Sequence, residues 1–499
     1  MNNHPEPTMT QHLTLNPHHL LKPLAGALML ASTLACAGPV EDAARLYKLD
    51  GIQSVEFNGT GHWFQFGQAP APELAWPGFD VSSYQAAVHF ESASARVQIK
   101  RLQTIDPQRV RPAPVEQVVD QNIRATLAWN NAVTPTGSAS LQPAAAEERI
   151  AEIWSTPQGF LKAALAYGAK TRKVKGGTEV SFKLDNSHRF EGLLDGMNQV
   201  TRVRTWIDNP VLGDTLVETT FEGQTEQGGS LFPSRIVRQQ GGFPVLDLDV
   251  KEVRFNAFQP LAIPEPILSA KPPVVTVVCT KLADGVFYLT GGTHHSVAIA
   301  QKDHVVLVEA PLNEARAQAV IDKVKEVIPG KPIRYVLNTH AHFDHSGGLR
   351  TLVAEGATVV THKANIAYYQ KAWAQPHHIQ PDRLALKPAK ARFEGLDKAY
   401  ALNDGQRKIE VYPLAGNTHN DAFVLVYLPA EKIAIEVDAY TPLAPGAKPP
   451  ATPNPYAVNL QGNIAQYQLD VQQLVPLHGP GVVKLDDLKA YNAQVADAH

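Results

Sequence analysis

The stretch His340-Ala341-His342-Phe343-Asp344-His345 places four side chains that can ligate a metal within six residues. Neutral imidazoles and a carboxylate suit zinc, and iron or manganese stay open as alternatives. His340 and His342, two apart, can point to one metal position, while the following turn directs Asp344 and His345 toward a second one nearby. A lone loop cannot fill two tetrahedral sites, so more ligands are expected downstream. Three residues qualify by context: His419 in Gly416-Asn417-Thr418-His419-Asn420-Asp421 before an apolar run, Asp438 closing the next run, and His478 in Val475-Pro476-Leu477-His478-Gly479-Pro480. Singly, each reads as readily as a surface residue at a strand end.

The elements around these residues fall into two halves. From 274 onward strands alternate with helices: strands at 286–290, 296–300, 305–309, 333–337 and 358–361, helices at 314–327 and 348–355. That rhythm predicts a layered α/β domain, with the ligand loop at the C-terminal end of strand 333–337, where such sheets place their sites. From about 51 to 256 the pattern is mostly period two, as at 55–66, 84–102, 199–208, 215–222 and 244–255. This alternation predicts antiparallel strands with one wet face, punctuated by Asp195-Gly196, Gly213-Asp214, Gly228-Gly229 and Gly241-Gly242. Residues 115–130 have helical spacing and are expected to cross a curved sheet as a helix. Pro260, Pro264, Pro266, Pro272 and Pro273 mark a connector, giving domains at 38–259 and 274–499 joined by 260–273.

The 499 residues carry 45 basic and 48 acidic side chains, a balance that advertises no phosphate-binding surface, so a nucleic-acid partner is not expected. No stretch approaches the ~20 apolar residues of a transmembrane segment. The apolar run 24–34 has instead the length of a signal-peptide core, and Ala35-Cys36-Ala37 matches a small-x-small cleavage site. Residues 1–37 are therefore expected to direct export to the periplasm or beyond, with a lipid anchor on Cys36 as a lesser alternative because Thr33 replaces the usual branched apolar residue. Two cysteines exclude a disulfide framework.

With these ligand blocks in this order, the second half resembles the metallo-β-lactamase fold superfamily of metallohydrolases. The resemblance implies an αββα sandwich with the site at one edge of the packed sheets. It implies one metal held by His340, His342 and His419, a second by Asp344, His345 and His478, and Asp438 bridging both. His342 stands where oxygen-reducing diiron members have Glu, which favours two zinc ions and hydrolysis. Glu309 departs from the Asp usual at the end of its strand, and Glu436-Val437-Asp438 replaces the usual glycine before the aspartate. Two zinc ions sharing a bridging water would bring its pKa to ~7, supplying a hydroxide to attack an ester, lactone, thioester or amide.

Tyr440, two residues after Asp438, could donate to the oxyanion or pack in the core. His294 and His295 follow Gly291-Gly292 on a loop that rims the pocket in this superfamily; either could support the metal ligands from behind, but solvated loop residues are the favoured reading. Residues 368–381, with Trp373, His377 and His378, read equally as a lid or as a packing helix. The first half resembles, more weakly, the curved sheets of periplasmic lipoprotein carriers, which implies a small-molecule or lipid-like substrate, while a structural or dimerising domain is the alternative that fits slightly better. Two other functions stay open: a periplasmic lipid- or ligand-binding protein whose metal domain is not catalytic, and a mononuclear iron oxygenase of the persulfide type using His340, His419 and Asp438.

Overall fold

The structure, a computed structural model, describes residues 38–134, 137–185, 188–444, 446–447 and 452–493. The expected leader, with Cys36, lies outside the described residues. The first half is one thirteen-stranded antiparallel sheet in which the strands Ser54–Phe64 and Phe243–Phe255 pair at the centre, Phe57 opposite Val253. Alternation is borne out along the long strand Gly213–Gln227, whose Thr215, Val217, Thr219 and Phe221 are buried while their neighbours reach solvent. On the buried face lie the helices Pro39–Leu46, Ala146–Trp154 and Pro157–Ala166. Phe160 and Leu161 are wholly buried among sheet residues, each contributing about 1.5–3 kcal/mol of apolar burial. The Thr156 hydroxyl accepts from Gly159 N and starts the last of these helices.

Two expectations are corrected. Residues 115–130 form no helix but the strands Gln117–Arg124 and Leu127–Asn130. Pairing of Ile99 with Val119 and Ala95 with Ile123 overrides the local helical spacing. The alternating stretch at 84–102 is two strands, Gly78–His89 and Ser94–Gln103, folded back through a turn. The proline-rich connector holds a short helix, Glu265–Leu268, whose Ile267 is buried.

The second half is a sandwich of a seven-stranded and a six-stranded sheet. Strand Val305–Val308 shows why its apolar runs are continuous: Val306 and Val308 face the core between the sheets, while Val305 and Leu307 face the outer helices, so both sides are dry. Helix Glu314–Val327, capped by the Asn313 side chain, covers one outer face with Ala317, Val320, Ile321 and Val324. Helices Pro455–Gln466 and Leu485–Ala493 pack on the other sheet through Leu460, Ile464, Leu488 and Tyr491. No helix among the described residues is long and apolar enough to cross a membrane.

The halves interlock. Residues 65–77, between the first two strands, cross onto the ligand loop, where Phe343 sits edge-on to Phe66 and Trp76 at 5.2 and 5.7 Å. Arg109 forks onto Asp421 at 2.8 and 2.7 Å, and Thr418 donates to the Val110 carbonyl. Asp214 N donates to the Pro376 carbonyl, and its carboxylate accepts from His378 N and Ile379 N. Behind residues 65–77 a cavity of about 640 Å³ separates the halves, walled by Trp76, Trp206, Leu212, Phe243, Phe343 and Tyr368.

Candidate metal centre

Every candidate ligand lies at one edge of the sandwich, where strands end and short loops begin. Strand Ile333–Leu337 delivers Asn338, whose amide donates to the His340 carbonyl while its oxygen accepts from Tyr369 and Thr361. Thr339 N donates to Glu309 Oε1 at 2.6 Å. Glu309 is fully buried and has φ of +66°, an unfavourable backbone for a residue with a side chain. Its second oxygen lies 3.3 Å from His345 Nδ1, so the strained residue braces both ends of the loop. His342 then precedes the short helix Phe343–Ser346, and the Ser346 hydroxyl donates to the His342 carbonyl.

The donor atoms gather into two groups, each within 4.8 Å: His340, His342, His419 and Asp438, and His294, Asp344, His345 and His478. Asp438 belongs to both by contact. Its Oδ2 is 3.2 Å from His340 Nε2 and 3.0 Å from both His345 Nε2 and His419 Nε2, and its Oδ1 is 2.9 Å from His478 Nε2. Nitrogens crowd in pairs: His419 Nε2 lies 3.4 Å from His340 Nε2, and His478 Nε2 lies 3.1 Å from His345 Nε2. Tautomers are set from outside the groups. His478 Nδ1 donates to the Thr293 carbonyl and His342 Nε2 to the Ala69 carbonyl, leaving His478 Nε2 and His342 Nδ1 as lone-pair donors.

Burial pushes the His340 imidazole down to about 4 and His342 well below its usual value, so both stand neutral at physiological pH with lone pairs free. Burial would raise the Asp438 carboxyl, but the imidazoles of His345 and His419 outweigh it and hold it well below the usual range. His345 is the converse: burial opposes its charge, yet the carboxylates of Asp438 and Asp344 hold its pKa well above the usual value. The structure thus concentrates carboxylates, the neutral imidazoles of His340 and His342 and a positive charge on His345 that a bound cation would displace, and that donor set fits a divalent cation. The buried Nδ1 of His342 has no hydrogen-bond partner, which a metal ion would provide.

All seven residues expected from sequence come together. Tyr440 stands apart from them: its ring is buried against Tyr491 at 5.3 Å, its N donates to Glu436, and the contact it makes is the packing one. His294 corrects an expectation, because it is not a solvated loop residue: Nε2 is 3.1 Å from Asp344 Oδ2 and its ring lies 4.1 Å from that of His478. An isolated bridge between His294 and His478 brings its loop to the site. His295 turns away to the Gly479 carbonyl and Tyr288. Within 368–381, Trp373 stacks on Tyr369 and Phe393 against the sandwich, and His377 is buried beside Gly213 of the first half.

Three contributors escaped sequence reasoning. Tyr456 packs its ring 5.2 Å from His419, and burial raises its phenol, with the charges of Arg111 and Asp438 acting in opposite senses. Glu309 was noticed only as a departure from a pattern. Residues 65–77 carried one usable signal, a proline-punctuated connection too long for a tight hairpin.

The fold of the second half is a two-sheet sandwich with candidate metal ligands gathered at one edge. Residues 289–439 match the model of the metallo-beta-lactamase superfamily, so the second half carries a domain of that superfamily. Solved structures similar to the chain include the metallo-beta-lactamase from Pontibacter korlensis, 19% identical, covering 45% of this chain and 100% of that one with a TM-score of 0.34. The enzyme from Hirschia baltica is 20% identical, covers 44% and 98%, and has a TM-score of 0.33. FIM-1 from Pseudomonas aeruginosa, in its mono-zinc form, is 20% identical over 46% and 98%, with a TM-score of 0.34. No curated protein matches the chain.

Proposed function

We propose that the chain is an exported, zinc-dependent hydrolase with two metal positions, acting on an ester, lactone, thioester or amide of a small molecule. The observation that carries this is Asp438, whose two oxygens reach imidazoles of both ligand groups and so make one bimetallic unit of them. His340, His342 and His419 would hold one ion, and Asp344, His345 and His478 the other, with His294 close enough to join the latter. When bound, such a pair supplies a Lewis acid and a water acidic enough to lose its proton near pH 7.

The chain's own residues do the rest. The Asp438 carboxylate, held ionised, is placed to join the two ion positions and to orient an attacking water as a hydrogen-bond acceptor, while the leaving group takes its proton from solvent water. Tyr456 keeps its phenol protonated across the neutral range, and its hydroxyl bonds no protein group among the described residues, so it is available to donate to the developing oxyanion. Phe423 packs its ring, tilted, against His340 and His419 at 4.9 and 5.6 Å and helps exclude water from the inner wall.

The test is turnover by the chain beginning at Gly38, loaded with zinc, on nitrophenyl esters, acyl homoserine lactones, a thioester and a cephalosporin, with and without chelator. Chelator-sensitive hydrolysis of one class is expected. Metal bound at two per chain with no hydrolysis of any class would reject the hydrolase, and iron bound at one per chain would point to the oxygenase instead. Export is tested by cell fractionation with and without residues 1–37.

A further inference from the structure

The second half supports most of its own ligands, with Asn338 on the His340 carbonyl and the Thr293 carbonyl on His478, yet two other ligands are held by the first half of the chain. Gln68 Nε2 donates to Asp344 Oδ1 at 2.8 Å, and the Ala69 carbonyl accepts from His342 Nε2 at 3.0 Å. These contacts bridge some 270 positions of sequence, and each acts on a different ligand group. By engaging Oδ1, Gln68 leaves Asp344 Oδ2 turned to His294 and His345, 3.1 and 3.7 Å away. By accepting from Nε2, Ala69 leaves the His342 Nδ1 lone pair for the first group.

The segment that carries them is fixed on both sides. Phe343 N donates to the Gly67 carbonyl, Asp421 N to the Pro70 carbonyl, and Asn420 Nδ2 to the Ala69 carbonyl. Trp76 Nε1 donates to the Gln240 carbonyl and anchors the far end to the sheet. Gly67 has φ of +81°, and a Cβ there would stand 2.7 Å from the Phe343 ring, so the approach is as close as backbone allows. A merely adjacent domain would not need its backbone at the ligand loop.

We propose that residues 65–77 are a cross-domain strap that completes the metal centre, with Gln68 the positioning residue that orients Asp344 for the second metal position. This rests on the proposed metal-dependent function. It gives the N-terminal sheet a role in metal binding, and it makes the superfamily domain incomplete without that sheet. Partners of this kind around a metal site are worth about 10–100-fold in affinity.

The experiment titrates the metal-free chain from Gly38 with cobalt(II), following visible absorption in competition with a chelator. Wild type is expected to take two ions. Gln68→Ala should weaken the ion held with Asp344 about 10–100-fold, leave the other within about twofold, and leave the melting temperature of the metal-free protein unchanged. Gln68→Met, equal in length but without the donor, should reproduce that selective loss even if the alanine variant folds poorly. Two ions bound by both variants as tightly as by wild type would overturn the strap while leaving the metal-dependent function standing. A wild type that takes up no cobalt would overturn both.

Discussion

Replacing His342 by alanine tests the two-position reading of the site at its most specific point. His342 is almost wholly buried, and its Nδ1 belongs to the group of His340, His419 and Asp438 and not to the second group. A four-ligand zinc site binds with about 10–16 kcal/mol in total, so one ligand is worth roughly 3 kcal/mol, about a hundredfold in affinity. The Ala69 carbonyl would lose one donor but keep Asn420 Nδ2 at 3.1 Å, so the strap is not left with an orphaned acceptor. The cavity left by the ring should cost about 2–4 kcal/mol of stability, read separately in thermal melts. The assay is metal content under chelator competition, paired with turnover. His342→Ala should hold one ion at near-wild-type affinity, bind the other about a hundredfold more weakly, and lose turnover about a hundredfold or more at limiting metal, partly restored by excess. Asp438→Asn, which touches both groups, should instead weaken both ions. Near-wild-type activity of His342→Ala, or equal weakening of both its ions, would refute the reasoning.

Phe343→Ala should lower unfolding free energy by about 2 kcal/mol, since the half-buried ring forfeits part of the 3–5 of a buried one, and should split denaturant unfolding into two transitions; one unchanged transition would contradict the interlock. Tyr456→Phe should lower kcat about tenfold with KM changed less than threefold, and an unaltered kcat would remove Tyr456 from the oxyanion role. Burial, with Glu147 and Asp214 close by, pushes the Asp208 carboxyl up from 3.8 to about 7. The folded chain therefore keeps a proton that the unfolded chain releases, and stability falls as pH rises from about 4 to about 7. The shift is worth about 4 kcal/mol at most, trimmed to about 2 by residual solvent. Asp208→Asn should match wild type at pH 4 and be more stable by that amount at pH 8 in thermal melts; parallel profiles would contradict this.

Features that depend on near neighbours along the chain were legible before any fold was known. The loop His340 to His345 declared its chemistry because its ligands share one strand end, and strands such as Val305–Val308 and Ser296–Ala300 stood out as apolar runs because both their faces are dry. His419, Asp438 and His478 were readable because each closes or precedes such a run. Where a segment's partners are remote, local pattern misled or fell silent. Residues 117–124 show helical spacing yet pair with strand Ser94–Gln103, because ladder hydrogen bonds and burial across the sheet outweigh a weak local preference. His294 looked solvated because nothing near it in sequence says that its loop bridges to His478. Gln68 and Ala69 have no chemistry of their own that marks them. Only folding, which sets them against Asp344 and His342, makes them part of the centre, since an amide or a carbonyl acquires a role from what it faces and the facing groups are supplied by the other half of the chain.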